Sequence, residues 1–343
     1  MLGNRVILIL FFALILGRLR PLNVNHSSLY PVKIVFLDAR TLGEIPNLIK
    51  LSELGEVVFY PDTQLDEVAS RIEGAEVVIT NKVKVVRQTM ENSPSLKLIC
   101  VAATGMNNVD LVAAKELGIQ IKNVKGYSTD SVAQETMALL LALLNSTAYY
   151  DTYVKTGEYS KERMFTHLGR PYWELRGKRF GILGLGEIGR QVAQIAAAFG
   201  CEVVYYSASG QTYDVPYASL LLEEFLATCD VFSVHAPLNE HTDNLLTYER
   251  IAQMKPTALL LNTSRGGIVN EADLVRALDD NLIAGAAIDV FTQEPIPASH
   301  PYLQLKNPEK LLLAPHVAWS SIEARIRLMD KVAENIQRYL EEK

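Results

Sequence analysis

Three side chains in the C-terminal half have the types and settings for acid/base chemistry on a carboxylate-bearing substrate. Arg265 follows the wholly apolar run Ala258–Leu261 and stands beside Gly266 and Gly267. An arginine at a strand end offers a planar fork that holds a carboxylate bidentately; the plainer alternative is a surface arginine in an ion pair. His316 closes the run Leu311-Leu312-Leu313-Ala314-Pro315, again at a strand end. A lone histidine is usually structural. With a carboxylate beside it, an imidazole keeps one tautomer and favours its charged form, which makes an acid/base pair. Two carboxylates precede it in the chain: Asp289, inside the apolar run Ala286–Phe291, and Glu294, just before Pro295. A carboxylate as enclosed as Asp289 needs polar partners of its own.

The element that must position them is Phe180–Gly189, a short apolar strand running into Gly184-Leu185-Gly186-Glu187-Ile188-Gly189. Arg190–Phe199 then has apolar residues at helical spacing, Gly200 stops it, and Cys201–Tyr206 reads as the next strand. Strand, G-x-G-x-x-G, helix, strand is the context of a dinucleotide site. Gly184 permits the tight turn, Gly186 lets a pyrophosphate approach the backbone, and Gly189 lets helix and strand pack closely. The phosphates sit on free N–H groups at the positive end of the helix.

Strands are expected at Val32–Leu37, Val57–Tyr60, Ala75–Thr80, Leu96–Ala102 and Ile119–Val124, with helices at Ile45–Leu54, Leu65–Ile72 and Leu111–Leu117 between them. After the glycine motif come Val203–Tyr206, Val231–His235, Ala258–Thr263, Ile283–Val290 and Leu311–Ala314, separated by helices at Tyr217–Ala227, Glu249–Met254 and Glu271–Asp279. Alternating strands and helices give α/β architecture with doubly wound parallel sheets, here two of them with a ligand cleft between. Ser131-Val132-Ala133-Gln134 reads as a capping box opening a long helix through Leu144. That helix is apolar on nearly all faces and is a candidate domain or subunit interface. Ser320–Glu342 closes the chain as an amphipathic helix.

The chain has 343 residues, 49% hydrophobic and 21% charged, enough for about two domains with a large core. A formal charge of −6 gives no basic face for nucleic acid. Cys100, Cys201 and Cys229 are scattered in apolar runs with no metal-ligand spacing, as buried thiols in a reducing, cytoplasmic setting would be. The apolar run Val6–Leu16 is too short for the ~20 residues of a membrane span. It has the look of a signal-peptide core without a cleavage site. Residues 1–30 are expected to be an over-extended translation start, with Val32 near the true beginning.

The ordered motifs GLGEIG at 184–189, HAPL at 235–238, NTSRGGIVNE at 262–271, AAIDVFTQEP at 286–295 and APHVAW at 314–319 resemble the D-isomer-specific 2-hydroxyacid dehydrogenases from about Val32 to the C-terminus. The resemblance implies a flavodoxin-like substrate domain, residues 31–125 plus 317–343, with a Rossmann cofactor domain inserted at 126–316. It implies Arg265 as binder of substrate carboxylate and carbonyl, His316 as proton donor and Glu294 as its partner. The turn Ala103-Thr104-Gly105 would offer N–H groups to the carboxylate, and Trp319 would either wall a small pocket or pack in the core. Asp289 would contact the nicotinamide side. Cofactor contacts would also come from Glu187, Ile188, Ser207, His235, Ala236, Pro237, Thr242, Thr263, Ser264 and Arg265. The segments Ala102–Asp110 and His316–Ser320 look most like glycerate dehydrogenases, also called hydroxypyruvate reductases. Glyoxylate, D-lactate and phenylpyruvate are alternative substrates, and a homodimer is implied.

Two positions depart from the family pattern. Ser207-Ala208-Ser209-Gly210 stands where an acidic residue usually holds the NAD ribose, and Glu202 is at the wrong end of the strand. No Lys or Arg follows to bind a 2′-phosphate, so NAD is expected and NADP is open. Glu135 replaces the histidine common beside the long helix. A nucleotide-sensing binding protein on the same fold, like the C-terminal-binding-protein corepressors, is the competing class. The intact Arg265, Glu294 and His316 count against it.

Overall fold

The computed structural model describes residues 32–343, so the expected leader at 1–30 lies outside the described residues. The chain forms two compact units, residues up to Ser128 with Ser320–Lys343, and Thr129–Trp319. The divisions fall three residues later than the boundaries read from the sequence. Between Thr129 and Leu144 the chain is one continuous helix that belongs wholly to the second unit.

In the first unit, β1 (Lys33–Phe36), β2 (Glu56–Phe59), β3 (Val77–Thr80), β4 (Leu98–Val101) and β5 (Gln120–Lys122) form a parallel sheet in the order β2-β1-β3-β4-β5. This is the flavodoxin-like order, whose reversal point lies between β1 and β3. The final helix, Ile322–Glu341, rejoins this unit. Ser321 Oγ caps it by accepting from Ala324 N at 3.2 Å. Asn47 Nδ2 donates to Ile326 O at 2.8 Å and Lys50 pairs with Asp330 at 2.6 Å. Its buried stripe, Leu328, Met329, Val332 and Ile336, has the spacing of one helix face. The segment expected as an α-helix at Ile45–Leu54 is instead a 3-10 helix, Pro46–Glu53, begun by Pro46.

The second unit holds β6 (Arg179–Leu183), β7 (Glu202–Tyr206), β8 (Ala218–Ser219), β9 (Val231–Val234), β10 (Leu259–Asn262), β11 (Gly285–Ile288) and β12 (Leu311–Leu313) in the order β12-β11-β10-β9-β6-β7-β8. This is the classic dinucleotide-binding order with one strand added beyond β11. Its central strands are buried on both faces, as parallel strands between helical layers must be. One face packs Phe225, Phe232, Leu260 and Ile288; the other packs Leu140, Phe180, Ile182 and Val192.

Three expectations change here. Tyr217–Leu221 is not helical: β8 pairs with β7 there and the helix begins at Leu222. The long helix begins at Thr129, and Ser131 does not open a capping box; its hydroxyl donates to Ala318 O at 2.6 Å. Its apolar faces pack on the Glu187–Ala198 helix and on β10 and β11. Its hydrophobicity is therefore consumed largely inside its own unit, which explains the pattern that had marked it as an interface.

Candidate active site

The glycine turn leaves β6 at its C-terminal end, beside the reversal point between β6 and β9. Gly184 has φ +93, and a Cβ there would lie 2.6 Å from Ala236 N. A side chain is thus excluded both by conformation and by the neighbouring loop. A Cβ on Gly189 would strike Gly184 O, so helix and turn meet closely. Gly186 has nothing within 4 Å of a Cβ position, and it precedes a helix whose first N–H groups receive no side-chain cap. Open ground before uncapped N–H groups fits a pyrophosphate. Ile188 is half-buried and Glu187 exposed at this helix start.

Past β7, Ser207 and Ser209 have hydroxyls 3.2 Å apart, and Gly210 N returns to Ser207 O at 3.0 Å. Glu202, at the start of β7, pairs with Arg179 at 2.8 Å and is remote in register from that turn. Arg190, on the helix after the glycine turn, lies 4.9 Å from the Tyr213 ring centroid and donates to Leu185 O at 3.2 Å.

The loops after β9 and β10 are laced together. His235 Nε2 and Ser233 Oγ are 2.8 Å apart, and burial pushes this imidazole down to about 3, so it is neutral. Ser264 Oγ donates to Ala236 O at 2.5 Å. Pro237 is exposed, but Thr242 is 1% exposed and its hydroxyl donates to Pro237 O at 2.6 Å while accepting from Asn239 N. Thr242 therefore staples the loop. Thr263 is buried with its hydroxyl 2.9 Å from that of Thr136 on the Thr129–Leu144 helix. Its hydroxyl is thus engaged with the Thr129–Leu144 helix.

Arg265 is shaped by Asn262. The Asn262 amide accepts from Ser264 N at 3.1 Å and donates to Arg265 O at 2.9 Å, a side-chain turn at the end of β10. The Arg265 guanidinium makes one bond, to Ser264 O at 2.7 Å, and has no carboxylate partner among the described residues. The surface ion-pair alternative has no counterpart here. Gly266 lies so near the Phe291 backbone that a Cβ would overlap it. This close approach joins the arginine loop to the loop carrying Glu294.

His316 Nδ1 lies 2.7 Å from Glu294 Oε2, and Glu294 Oε1 accepts from Phe291 N at 3.0 Å. Both side chains remain partly exposed, 23% and 32%. His316 has φ +55, a left-handed conformation that β-carbon residues avoid. What holds it is Asp289. That carboxylate is wholly buried, and its oxygens accept from Val317 N at 2.8 Å and Ala318 N at 3.0 Å. Burial raises its pKa, and the two N–H bonds oppose that shift. Asp289 thus fixes the turn after His316.

The sequence reading overlooked one further pair. Glu271 Oε1 accepts from Thr292 N at 2.8 Å, and Oε2 lies 3.1 Å from His300 Nε2, with His300 4% exposed. This pair ties the Glu294 loop to the Glu271–Asp279 helix. The only signal was a glutamate at a helix start and a histidine before Pro301, which is too common to read.

In the first unit, β4 is followed by the turn Ala103-Thr104-Gly105. Thr104 Oγ1 donates to Val124 O at 2.9 Å, and the N–H groups of these three residues have no acceptor among the described residues. Trp319, half-buried, ends the second unit at its junction with the last helix. Among the described residues no group of His, Cys, Asp and Glu is placed to hold a metal, and no helix is long and apolar enough to cross a membrane.

A dinucleotide seat and a histidine–carboxylate pair with an arginine, all at the C-terminal ends of one parallel sheet, define a nicotinamide-dependent oxidoreductase. Residues 137–318 match the family model described as D-isomer specific 2-hydroxyacid dehydrogenase, NAD binding domain. The chain is 37% identical over 318 residues to a hydroxypyruvate reductase of Blautia hydrogenotrophica, covering 90% of this chain and 97% of that protein. It is 35% identical over 309 residues to a glycerate dehydrogenase of Methylorubrum extorquens, covering 90% and 96%. The crystal structure of an NADPH-dependent glyoxylate/hydroxypyruvate reductase from Sinorhizobium meliloti, in complex with NADP and malonate, superposes with a TM-score of 0.78 at 26% identity, over 90% of this chain and 93% of that one. The chain belongs to the D-isomer specific 2-hydroxyacid dehydrogenases. It is an oxidoreductase acting on the CH–OH group of 2-hydroxy acids with a nicotinamide cofactor.

Proposed function

We propose that this enzyme reduces hydroxypyruvate to D-glycerate. The observation that carries the catalytic assignment is the 2.7 Å contact between His316 Nδ1 and Glu294 Oε2. With Nδ1 engaged, Nε2 is the atom left to give a proton to a substrate carbonyl oxygen, and Glu294 stabilises the charged ring before that transfer. Arg265, with no competing carboxylate, binds the substrate carboxylate and orients the carbonyl. The N–H groups of Ala103, Thr104 and Gly105 are the donors proposed in the first unit, and Trp319 is the proposed limit on the side chain accepted. The bound nicotinamide supplies the hydride, or takes it up in the reverse direction. The glycine turn Gly184–Gly189 seats its pyrophosphate, and Ile188, Ser207, His235, Ala236, Pro237 and Ser264 are the proposed neighbours along its length.

The neutral turn at Ser207 holds the adenosine ribose by hydroxyl groups. NAD is the proposed working cofactor, and the same turn carries no charge to repel NADP. The choice of hydroxypyruvate is supported by the relatives that reduce it or oxidise glycerate. Glyoxylate is the runner-up, supported by relatives described as glyoxylate reductases.

A homodimer is proposed on the second unit's outer segment, where Phe165 is 91% exposed and Leu168 78%. With Met164, 62% exposed, they put three open apolar side chains within five residues, and a contiguous apolar patch marks a surface that a partner covers. A cytoplasmic setting is proposed from the three unpaired cysteines.

Initial rates with hydroxypyruvate, glyoxylate, pyruvate and phenylpyruvate, each with NADH and NADPH, test the reading. Hydroxypyruvate with NADH should lead. A bulky keto acid in front would overturn the substrate assignment and leave the dehydrogenase.

A further inference from the structure

Thr292, Gln293 and Glu294 are exposed, so burial of their side chains does little to place the carboxylate that faces His316. Bonds to their backbone must do it. Two successive N–H groups before Glu294 go to glutamates. Phe291 N donates to Glu294 Oε1 at 3.0 Å, which ties the segment only to itself. Thr292 N donates to Glu271 Oε1 at 2.8 Å, which ties it to the first turn of the Glu271–Asp279 helix. Gly266 lies so near the same peptide that a Cβ there would overlap Phe291 C and Thr292 N. The Phe291–Thr292 peptide is therefore held between Gly266 and Glu271, both on the stretch that follows Arg265.

Glu271 is itself held by His300. Its Oε2 lies 3.1 Å from His300 Nε2, and the two side chains are 16% and 4% exposed. His300 Nδ1 accepts from Tyr302 N at 3.3 Å and so caps the 3-10 helix Pro301–Gln304. A ring nitrogen that accepts carries no proton, so the proton of this imidazole sits on Nε2 and faces Glu271. One oxygen of Glu271 is thus engaged by His300, and the other is aimed at Thr292. The His300 ring also stands edge-on to Phe291, with centroids 5.9 Å apart at 86°. The pair therefore touches both Phe291 and Thr292, yet neither member bonds to Arg265, Glu294 or His316.

We propose that Glu271 and His300 are positioning residues for the proton transfer, acting through the Phe291–Thr292 backbone to set Glu294 against His316. The inference rests on Glu294 serving His316. A group that orients the acid must itself be locked by bonds behind it. A misplacement of about 1 Å costs up to about 10²-fold in rate. An exposed segment without burial of its own has nothing else to resist that displacement.

The test is a double-mutant cycle on the full chain, with NADH and the 2-keto acid that the wild type reduces fastest. Glu271→Gln and His300→Asn are each made alone and together with Glu294→Gln. The glutamine keeps the shape of Glu271 but accepts at one atom only, so it loses Thr292 or His300. The asparagine can still accept from Tyr302 N, as a favoured capping residue, and removes the ring that reaches Glu271. In both single variants kcat should fall roughly 10- to 100-fold, with the Kd for NADH unchanged. In the Glu294→Gln background the further fall should be less than about twofold, because the residue they act through is already gone. Full kcat in both single variants overturns the proposal. An equal fold-loss with and without Glu294 also overturns it, because the pair would then support the unit at large. Full turnover in Glu294→Gln alone would instead bring down the reading of Glu294 beneath it.

Discussion

Glu294 and His316 meet across 22 residues of sequence, Oε2 to Nδ1 at 2.7 Å, and the other oxygen of Glu294 accepts from the backbone of Phe291. One carboxylate therefore fixes its own loop and the ring of the acid at once. Replacing His316 by Ala should lower kcat by about 10²- to 10⁴-fold while leaving the affinity for NADH unchanged. Stopped-flow binding beside steady-state rates checks both. Undiminished turnover would end the assignment of His316 as the proton donor.

Arg265 should separate binding from turnover. Arg265→Lys keeps the charge but loses the planar fork, at about 1.5–3 kcal/mol for a charge-assisted bond. That corresponds to kcat/KM down by roughly 10- to 150-fold. The reduction of a keto acid is compared with that of an aldehyde lacking the carboxylate, which should be insensitive to the change.

Asp289→Asn tests the turn that holds His316. The amide can accept one of the two N–H bonds, from Val317 or Ala318, and presents a donor to the other. One buried N–H without an acceptor costs about 1–3 kcal/mol. The midpoint of thermal unfolding should fall, and kcat should fall with it because His316 loses the support for its left-handed backbone. A variant with full stability and full turnover would exclude that role.

His235 predicts a pH dependence of stability. Its folded pKa is pushed from the ordinary 6.5 to about 3 by burial. As the pH falls below 6.5, the unfolded chain takes up a proton that the folded one refuses. Its contribution is thus complete above pH 6.5 and declines from there towards pH 3. Denaturant midpoints at pH 7 and pH 5 should differ less in His235→Asn than in the wild type, if the protonation of this ring is a cause of acid sensitivity.

Phe165→Glu should shift the proposed dimer towards monomer without changing the fold of either unit. Sedimentation velocity at several concentrations reads this directly; an identical sedimentation coefficient in the variant would move the proposed interface elsewhere.

Much of the site could be read along the chain because its demands are local. A glycine with φ +93 beside a neighbouring backbone admits no other residue, so Gly184 is visible in the sequence. Arg265 and His316 are visible because an apolar run that stops at a charged residue marks a strand end. The hydroxyls of Thr242, Thr263 and Ser131 bond to backbone carbonyls or to another hydroxyl, and such bonds leave no pattern in residue order. The two-residue strand Ala218–Ser219 is not legible in the sequence, because its pairing with β7 is a long-range contact that outweighs the propensity of the residues.

The amino-acid sequence by itself determined the alternation of strand and helix, the dinucleotide turn and the residue types available for chemistry, since each follows from burial periodicity or from sterics within a few residues. Only the tertiary structure shows how Glu294 serves His316. Spacing alone does not separate Glu294 from Asp289, five residues apart; the family resemblance implies Glu294, and the fold sets it against the ring. Folding spends Asp289 on two N–H groups of a strained turn and leaves Glu294 to face the imidazole, because the partners of a buried charge are set by whichever backbone donors the fold brings within 3 Å.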